Sequence, residues 1–174
     1  MDLTSSYFKL FECPVGYEID QVNLSDKYLQ LQKVAHPDRF AAGTDQEKRL
    51  AAQFTARINE GYETLRHPLK LAIYLLEQES VTIDHNPTLD PMFLMEQIEL
   101  REELEEIGDA GEDGLPRLDK FRQQGKNVLA ELQSEFSSAY PSHLESAEQS
   151  VYKMQFIHKL MAEAKQLEEK ILDY

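Results

Sequence analysis

The chain has 174 residues, 41% of them hydrophobic, with seven glycines, seven prolines, no tryptophan and one cysteine. That length accommodates one large domain or two small ones, and abundant Ala, Leu, Glu, Gln and Lys with few β-branched runs favour helix over sheet. A net charge of −14 argues against nucleic-acid binding, because no basic surface is available to displace counterions from phosphates, and the lone Cys13 cannot form an internal disulfide or a four-thiolate metal or iron–sulfur centre.

The opening MDLTSSYFKLFECP carries neither a basic region with an apolar core nor an Arg-rich presequence, and the longest apolar clusters are too short to span a bilayer. The expectation is a soluble, cytoplasmic protein in a reducing compartment. The charge is unevenly spread: residues 1–75 hold nine Lys or Arg against ten Asp or Glu, whereas residues 76–174 hold nine against twenty-two. Two halves with different partners follow.

A short apolar segment, Tyr7 to Phe11, opens the chain and is expected to stop at Cys13-Pro14. Asp20 is placed as an N-cap, with Ile19 and Leu24 at hydrophobic-staple spacing. Leu24, Tyr28, Leu31 and Ala35 then line one face of a helix that ends near Ala35, because Pro37 drives His36 out of the α region. Arg39 to Gly43 reads as a loop. Thr44 and Glu47 form a capping box, and Ala51, Phe54, Ile58, Gly61, Tyr62 and Leu65 form the stripe of the next helix. His67-Pro68 starts a fourth helix, whose LKLAIYLL run is apolar nearly all round and should be packed on two sides.

Residues 79–90, ESVTIDHNPTLD, lack periodicity and mark the domain boundary. Three helices follow, at about Pro91–Ile107, Leu115–Ala139 and Ser142–Leu172, broken at residues 108–114 and at Tyr140-Pro141. Leu118, Phe121, Gly125, Val128, Leu132 and Phe136 mark the inner face of the middle helix. Met154, Ile157, Leu160, Met161, Ala164, Leu167 and Ile171 mark that of the last. The fold class is all-α: residues 1–78 an antiparallel helix pair with short flanking helices, residues 79–90 a linker, and residues 91–174 a three-helix bundle.

Chemically, His36 and Asp38 could act as acid and base, but hydrolysis also needs a nucleophile and an oxyanion site. Neither a Gly-x-Ser-x-Gly elbow nor a phosphate loop is present. As metal ligands the pair lacks companions, since His67, His85, His143 and His158 are scattered. A docking loop suits the three residue types better. Pro37 fixes one φ and lowers the entropy lost on immobilisation, Asp38 can accept paired hydrogen bonds from an arginine, and His36 adds a planar ring with a polar edge.

On the first C-terminal helix, Phe93, Leu100, Leu104 and Ile107 share one side at 100° per residue, and Leu94, Met95 and Ile98 fall nearly opposite. An apolar patch ringed by Glu99, Glu102 and Glu106 is unusual on a solvated face. It can serve a partner or pack against the N-terminal domain. Phe156 lies about 80° off the core stripe of the last helix, at its edge, where it can serve the core, an interface or both.

The YFKLF opening, the amphipathic second helix, His36-Pro37-Asp38 between two helices, and ARINEGYETLRHP at residues 56–68 resemble the J-domain, with which co-chaperones drive DnaK-type chaperone ATPases. DPMFLMEQIELREELEEI at residues 90–107 and the closing AKQLEEKILDY are similar to the HscB type of J-protein, over essentially the whole chain. The cysteine-rich N-terminal region of eukaryotic relatives is missing here, which suggests a bacterial member.

The resemblance implies a non-enzymatic co-chaperone without cofactor or metal. Its partners are the specialised chaperone HscA and the iron–sulfur scaffold protein IscU, with no nucleic acid or membrane involved. It implies chaperone contact through His36, Pro37, Asp38, Lys27, Lys33 and Arg39, the cations steering the acidic chaperone surface. Scaffold contact is implied for Leu94, Met95, Ile98, Glu99, Glu102, Glu106 and Phe156. The alternatives are a general J-protein holdase for unfolded clients, whose Gly–Phe-rich linker or zinc cysteines are absent, and a small hydrolase using His36 and Asp38.

Overall fold

The computed structural model describes residues 4–40, 42–84 and 87–172, and of Pro37 the backbone alone. Ala41, His85, Asn86, Asp173 and Tyr174, on which parts of the expected loop, histidine set, linker and closing segment fall, lie outside the described residues. Within them the chain is all-α, with seven α-helices, two 3-10 turns and no strand. It divides into two compact units, residues 1–79 and 80–174.

In the first unit, α1 (Tyr7–Leu10) is capped by Ser6, whose Oγ accepts the Lys9 N–H at 3.3 Å. It ends before the expected Cys13-Pro14 stop, because Phe11 turns inward and Glu12 takes a left-handed φ of 53°. Cys13 is half-buried, and burial pushes its thiol pKa up, as befits a small hydrophobe.

The second helix, α2 (Gln21–Ala35), starts at Asp20, whose Oδ1 accepts the Val22 and Asn23 N–H groups at 3.0 and 3.1 Å. These are two of the four donors a helix start leaves unpaired. Of the expected stripe, Leu24 and Ala35 are buried, and Tyr28 and Leu31 half-buried. The stretch expected as loop after α2 begins as a 3-10 turn, Pro37–Phe40, closed by the Arg39 N–H on the His36 carbonyl at 3.0 Å.

In α3 (Asp45–Arg66) the Thr44–Glu47 capping box is complete, with both reciprocal hydrogen bonds made. Helices α2 and α3 run antiparallel, joined along one side by a polar ladder. Ser25 meets Tyr62 at 3.2 Å, Tyr28 donates to Asn59 at 3.1 Å, and the Tyr28 and Tyr62 rings stack at 4.0 Å. Gly61 is needed where α1 crosses α3, since a Cβ there would sit 2.7 Å from the Tyr7 ring and 2.9 Å from Phe11. Helix α4 (Pro68–Gln78) buries Leu71, Ala72, Leu75 and Leu76, and its Tyr74 hydroxyl accepts the Tyr7 N–H at 3.0 Å. It meets α3 on one side and α1 on another, as its all-round apolar sequence requires.

The second unit is an up-down-up bundle of α5 (Pro91–Asp109), α6 (Leu115–Ala139) and α7 (Leu144–Leu172). Leu104, Ile107, Leu118, Phe121, Leu160 and Ala164 form its core, with Leu100, Leu115, Phe156 and Leu167 packed around it. Burying this apolar surface is the main stabilising term, at about 25 cal/mol per Å². Preceding the bundle, the Asp84 N–H donates to the Tyr152 hydroxyl at 2.8 Å, tying the segment after α4 to α7.

Three sequence expectations are corrected in this unit. Helix α5 continues through Gly108 and Asp109, because Gly108 adds no side chain where Leu167 approaches; a 3-10 turn at Gly111–Gly114 makes the break. Helix α7 starts at Leu144, since Ser142 and His143 remain in the turn that the His143 N–H closes on the Ala139 carbonyl at 2.7 Å. Val128 is exposed, and Leu129 is half-buried instead. At 100° per residue these two lie about 50° on either side of the Leu118–Phe136 stripe, so spacing alone does not choose between them. The Met161 sulfur packed directly on Gly125 fixes how α6 is turned against α7.

Candidate functional site

The predicted residues fall on two surfaces, one in each unit. The first is the turn after α2. His36 and Asp38 point outward, with side chains 59% and 90% exposed, and the His36 Nδ1 lies 3.5 Å from the Asp38 carboxylate. The Asp38 N–H donates to His36 Nδ1 at 3.3 Å, which in the neutral ring leaves the proton on Nε2. Residue 37 lies between them in the backbone, and its side chain lies outside the described residues.

The three cations expected beside this loop are not equivalent. Lys33 is exposed on the last turn of α2. Arg39 folds back, its Nη1 donating to the Lys33 carbonyl at 3.4 Å. Lys27 lies two turns earlier and is ion-paired with Glu12 at 2.5 Å. The structure therefore brings His36, Asp38, Lys33 and Arg39 together and leaves Lys27 apart. The outward face of α2 also carries Val22, Leu29 and Val34, all exposed, which a search for a basic patch passes over.

The second surface is the outer face of α5. Asp90 caps it, accepting the Met92 N–H at 2.8 Å, and Pro91 occupies the first turn. Phe93, Leu104 and Ile107 are buried, whereas Leu94, Met95 and Ile98 are 44%, 63% and 58% exposed. Met92, which the sequence reading did not single out, is 71% exposed beside them. Glu99 and Glu102 are exposed and make no ion pair among the described residues, while Glu106 holds Arg117 at 3.2 Å.

Phe156 is half-buried on α7. It meets Phe93 edge-on and packs on the core, with the Arg101 guanidinium 5.6 Å from its ring centre. Phe93 and Arg101 flank the Leu94 side of α5, so Phe156 is brought to that edge; Glu99 and Glu106 lie on the other. Arg101, which also reaches Glu163 at 4.0 Å, was not legible because its partners come from α7.

Among the described residues no group of three or more His, Cys, Asp or Glu is placed to hold a metal ion, and no helix is long and apolar enough to cross a membrane. A cleft of about 710 Å³ at the C-terminal ends of α5 and α7, floored by Leu104, Leu167 and Ile171, contains none of the predicted site residues. The two surfaces are an exposed imidazole–carboxylate turn on an antiparallel helix pair, and an apolar face with an acidic border.

Comparison with known proteins places this arrangement. Residues 89–165 match the family model described as the HSCB C-terminal oligomerisation domain. The co-chaperone protein HscB homolog of Shewanella loihica is 39% identical over 94% of this chain and 98% of its own, and that of Shewanella amazonensis 38% over 97% and 99%. The solved structure of chaperone HscB from Vibrio cholerae superposes with a TM-score of 0.86 at 35% identity, covering 96% of this chain and 99% of that one. Human co-chaperone protein HscB gives 0.87 at 28% identity, covering 95% and 83%. With end-to-end similarity in sequence and in the succession of a J-domain and a helical bundle, the chain belongs to the HscB family of co-chaperones.

Proposed function

We propose that this chain works as an adaptor, presenting the His36–Asp38 turn to a DnaK-type chaperone ATPase, HscA, and the outer face of α5 to the iron–sulfur scaffold protein IscU. Family membership supports a co-chaperone role in iron–sulfur cluster assembly. The observation that carries the adaptor reading is the pair of exposed surfaces with different chemistry, one in each unit. The N-terminal turn offers Asp38 as an open acceptor for an arginine. The α5 face offers Leu94, Met95 and Ile98 as apolar anchors, with Glu99, Glu102 and Glu106 selecting a basic partner and Phe156 at the edge.

On this reading the hydrolytic machinery belongs to the chaperone, and the chain activates an enzyme without being one. It acts in the bacterial cytoplasm. The test is a chaperone ATPase assay. The rate rises on adding this protein and rises further with scaffold; Asp38→Asn abolishes the stimulation while the helical content and scaffold binding persist. Normal stimulation by Asp38→Asn would overturn docking through the turn. Capture of many denatured clients in place of the folded scaffold would favour a general holdase.

A further inference from the structure

Helix α2 ends without its usual backbone partners, and the turn after it stands where they would be. A helix leaves its last four carbonyls without intrahelical donors. The residue four beyond Lys33 is Pro37, which has no N–H. The Asp38 N–H, due to Val34, goes to His36 Nδ1, and the Arg39 N–H, due to Ala35, goes to the His36 carbonyl. Three carbonyls thus lose their donor from the chain ahead, and those of Lys33 and Ala35 find one on side chains.

Two side chains supply them. Arg39 Nη1 reaches the Lys33 carbonyl at 3.4 Å, a cation at the negative end of the helix. Thr55, half-buried on α3, places its hydroxyl 3.2 Å from the Ala35 carbonyl and 2.9 Å from the Ala51 carbonyl of its own helix. A threonine in mid-helix ordinarily bonds only backward along its own turn; here one proton is shared between two helices.

We propose that Thr55 is a positioning residue for the His36–Asp38 turn: its hydroxyl ties the last carbonyl of α2 to α3, and Arg39 is the second tether. The turn is then held in one conformation before the chaperone arrives, which lowers the entropy lost on docking. The effect on ATPase stimulation rests on the co-chaperone reading above; the tether itself does not.

The test compares Thr55→Val, which keeps the shape and removes the hydroxyl, with Thr55→Ser, which keeps the hydroxyl. In the free protein, Thr55→Val speeds amide hydrogen exchange at Asp38 and Arg39, and Thr55→Ser leaves it at the wild-type rate. In the ATPase assay, Thr55→Val raises the concentration giving half-maximal stimulation roughly three- to tenfold, the range expected for one lost hydrogen bond. The rate at saturation is unchanged, and Thr55→Ser restores the midpoint. Thr55→Ala, also lacking the hydroxyl, behaves like the valine variant. Wild-type exchange at Asp38 and Arg39 in both hydroxyl-free variants would overturn the proposal. Wild-type protein that leaves the chaperone unstimulated would overturn the co-chaperone reading, while the exchange comparison would still decide the tether.

Discussion

Phe93 on α5 and Phe156 on α7 meet edge to face, their ring centres 5.7 Å apart at 86°. The contact joins the buried side of α5 to the rim of its exposed side, so Phe156 serves structure and surface together. Phe156→Ala should destabilise the bundle by about 2 kcal/mol, below the range for a fully buried phenylalanine because part of this residue is already exposed. Phe156→Leu should cost less than about 1 kcal/mol. Denaturant unfolding measures both, and equal midpoints for Ala and wild type would remove Phe156 from the packing.

Leu94 and Met95 have no such double duty. Both are exposed on the far side of α5 from its core residues, so Leu94→Ala with Met95→Ala should change stability by no more than about 0.5 kcal/mol. Scaffold affinity, measured by calorimetry, should fall about tenfold or more, as for anchors at the centre of an interface. An unchanged dissociation constant would place the scaffold elsewhere.

Lys27 is held by Glu12 across fifteen positions of sequence, which lowers its value for steering. Association with an acidic chaperone surface should slow as salt rises. Glu12→Gln, by freeing the ammonium, should raise the association rate about twofold at low ionic strength and leave it unchanged at high salt. Stopped-flow measurement at two salt concentrations decides; identical rates at both would leave Lys27 without a steering role.

Part of the alkaline limb of stability is set in the N-terminal unit. Burial, then the hydrogen bond to Glu60 and its charge, push the Tyr7 phenol up to about 12, and burial does the same for Tyr17. An unfolded tyrosine ionises near 10.0. The folded state therefore holds these protons longer, and its stability, fully present below pH 10, declines as pH rises from there towards about 12. Tyr17→Phe should flatten that decline, read as the pH dependence of the unfolding midpoint; an unaltered slope would contradict the shift.

Local signals were legible at most positions where cause and effect lie within one turn, though not at the 3-10 turn after α2 or the start of α7. The Asp20 cap, the Thr44–Glu47 box, the end of α2 at His36 and the split of α5 into two faces all rest on contacts spanning a few residues. Arg39, implied by the resemblance as a steering cation, gives no sign in the sequence of its fold-back onto Lys33, which depends on how the 3-10 turn closes. Val128 and Leu129 could not be ranked, because helical spacing places them symmetrically about the stripe and only the neighbour breaks the tie.

Hydrophobic period, proline and capping chemistry act over short separations, so the helices, their order, the position of the His36–Asp38 turn and the apolar–acidic face of α5 are written into the sequence. Tertiary structure alone decided which charges stay available and what holds the turn still. Glu12 reaches Lys27, Thr55 reaches the Ala35 carbonyl, and Arg101 reaches Phe156. Each contact joins residues whose separation along the chain carries no periodic signal, and it forms only when packing brings the two segments within hydrogen-bonding or ring-contact distance.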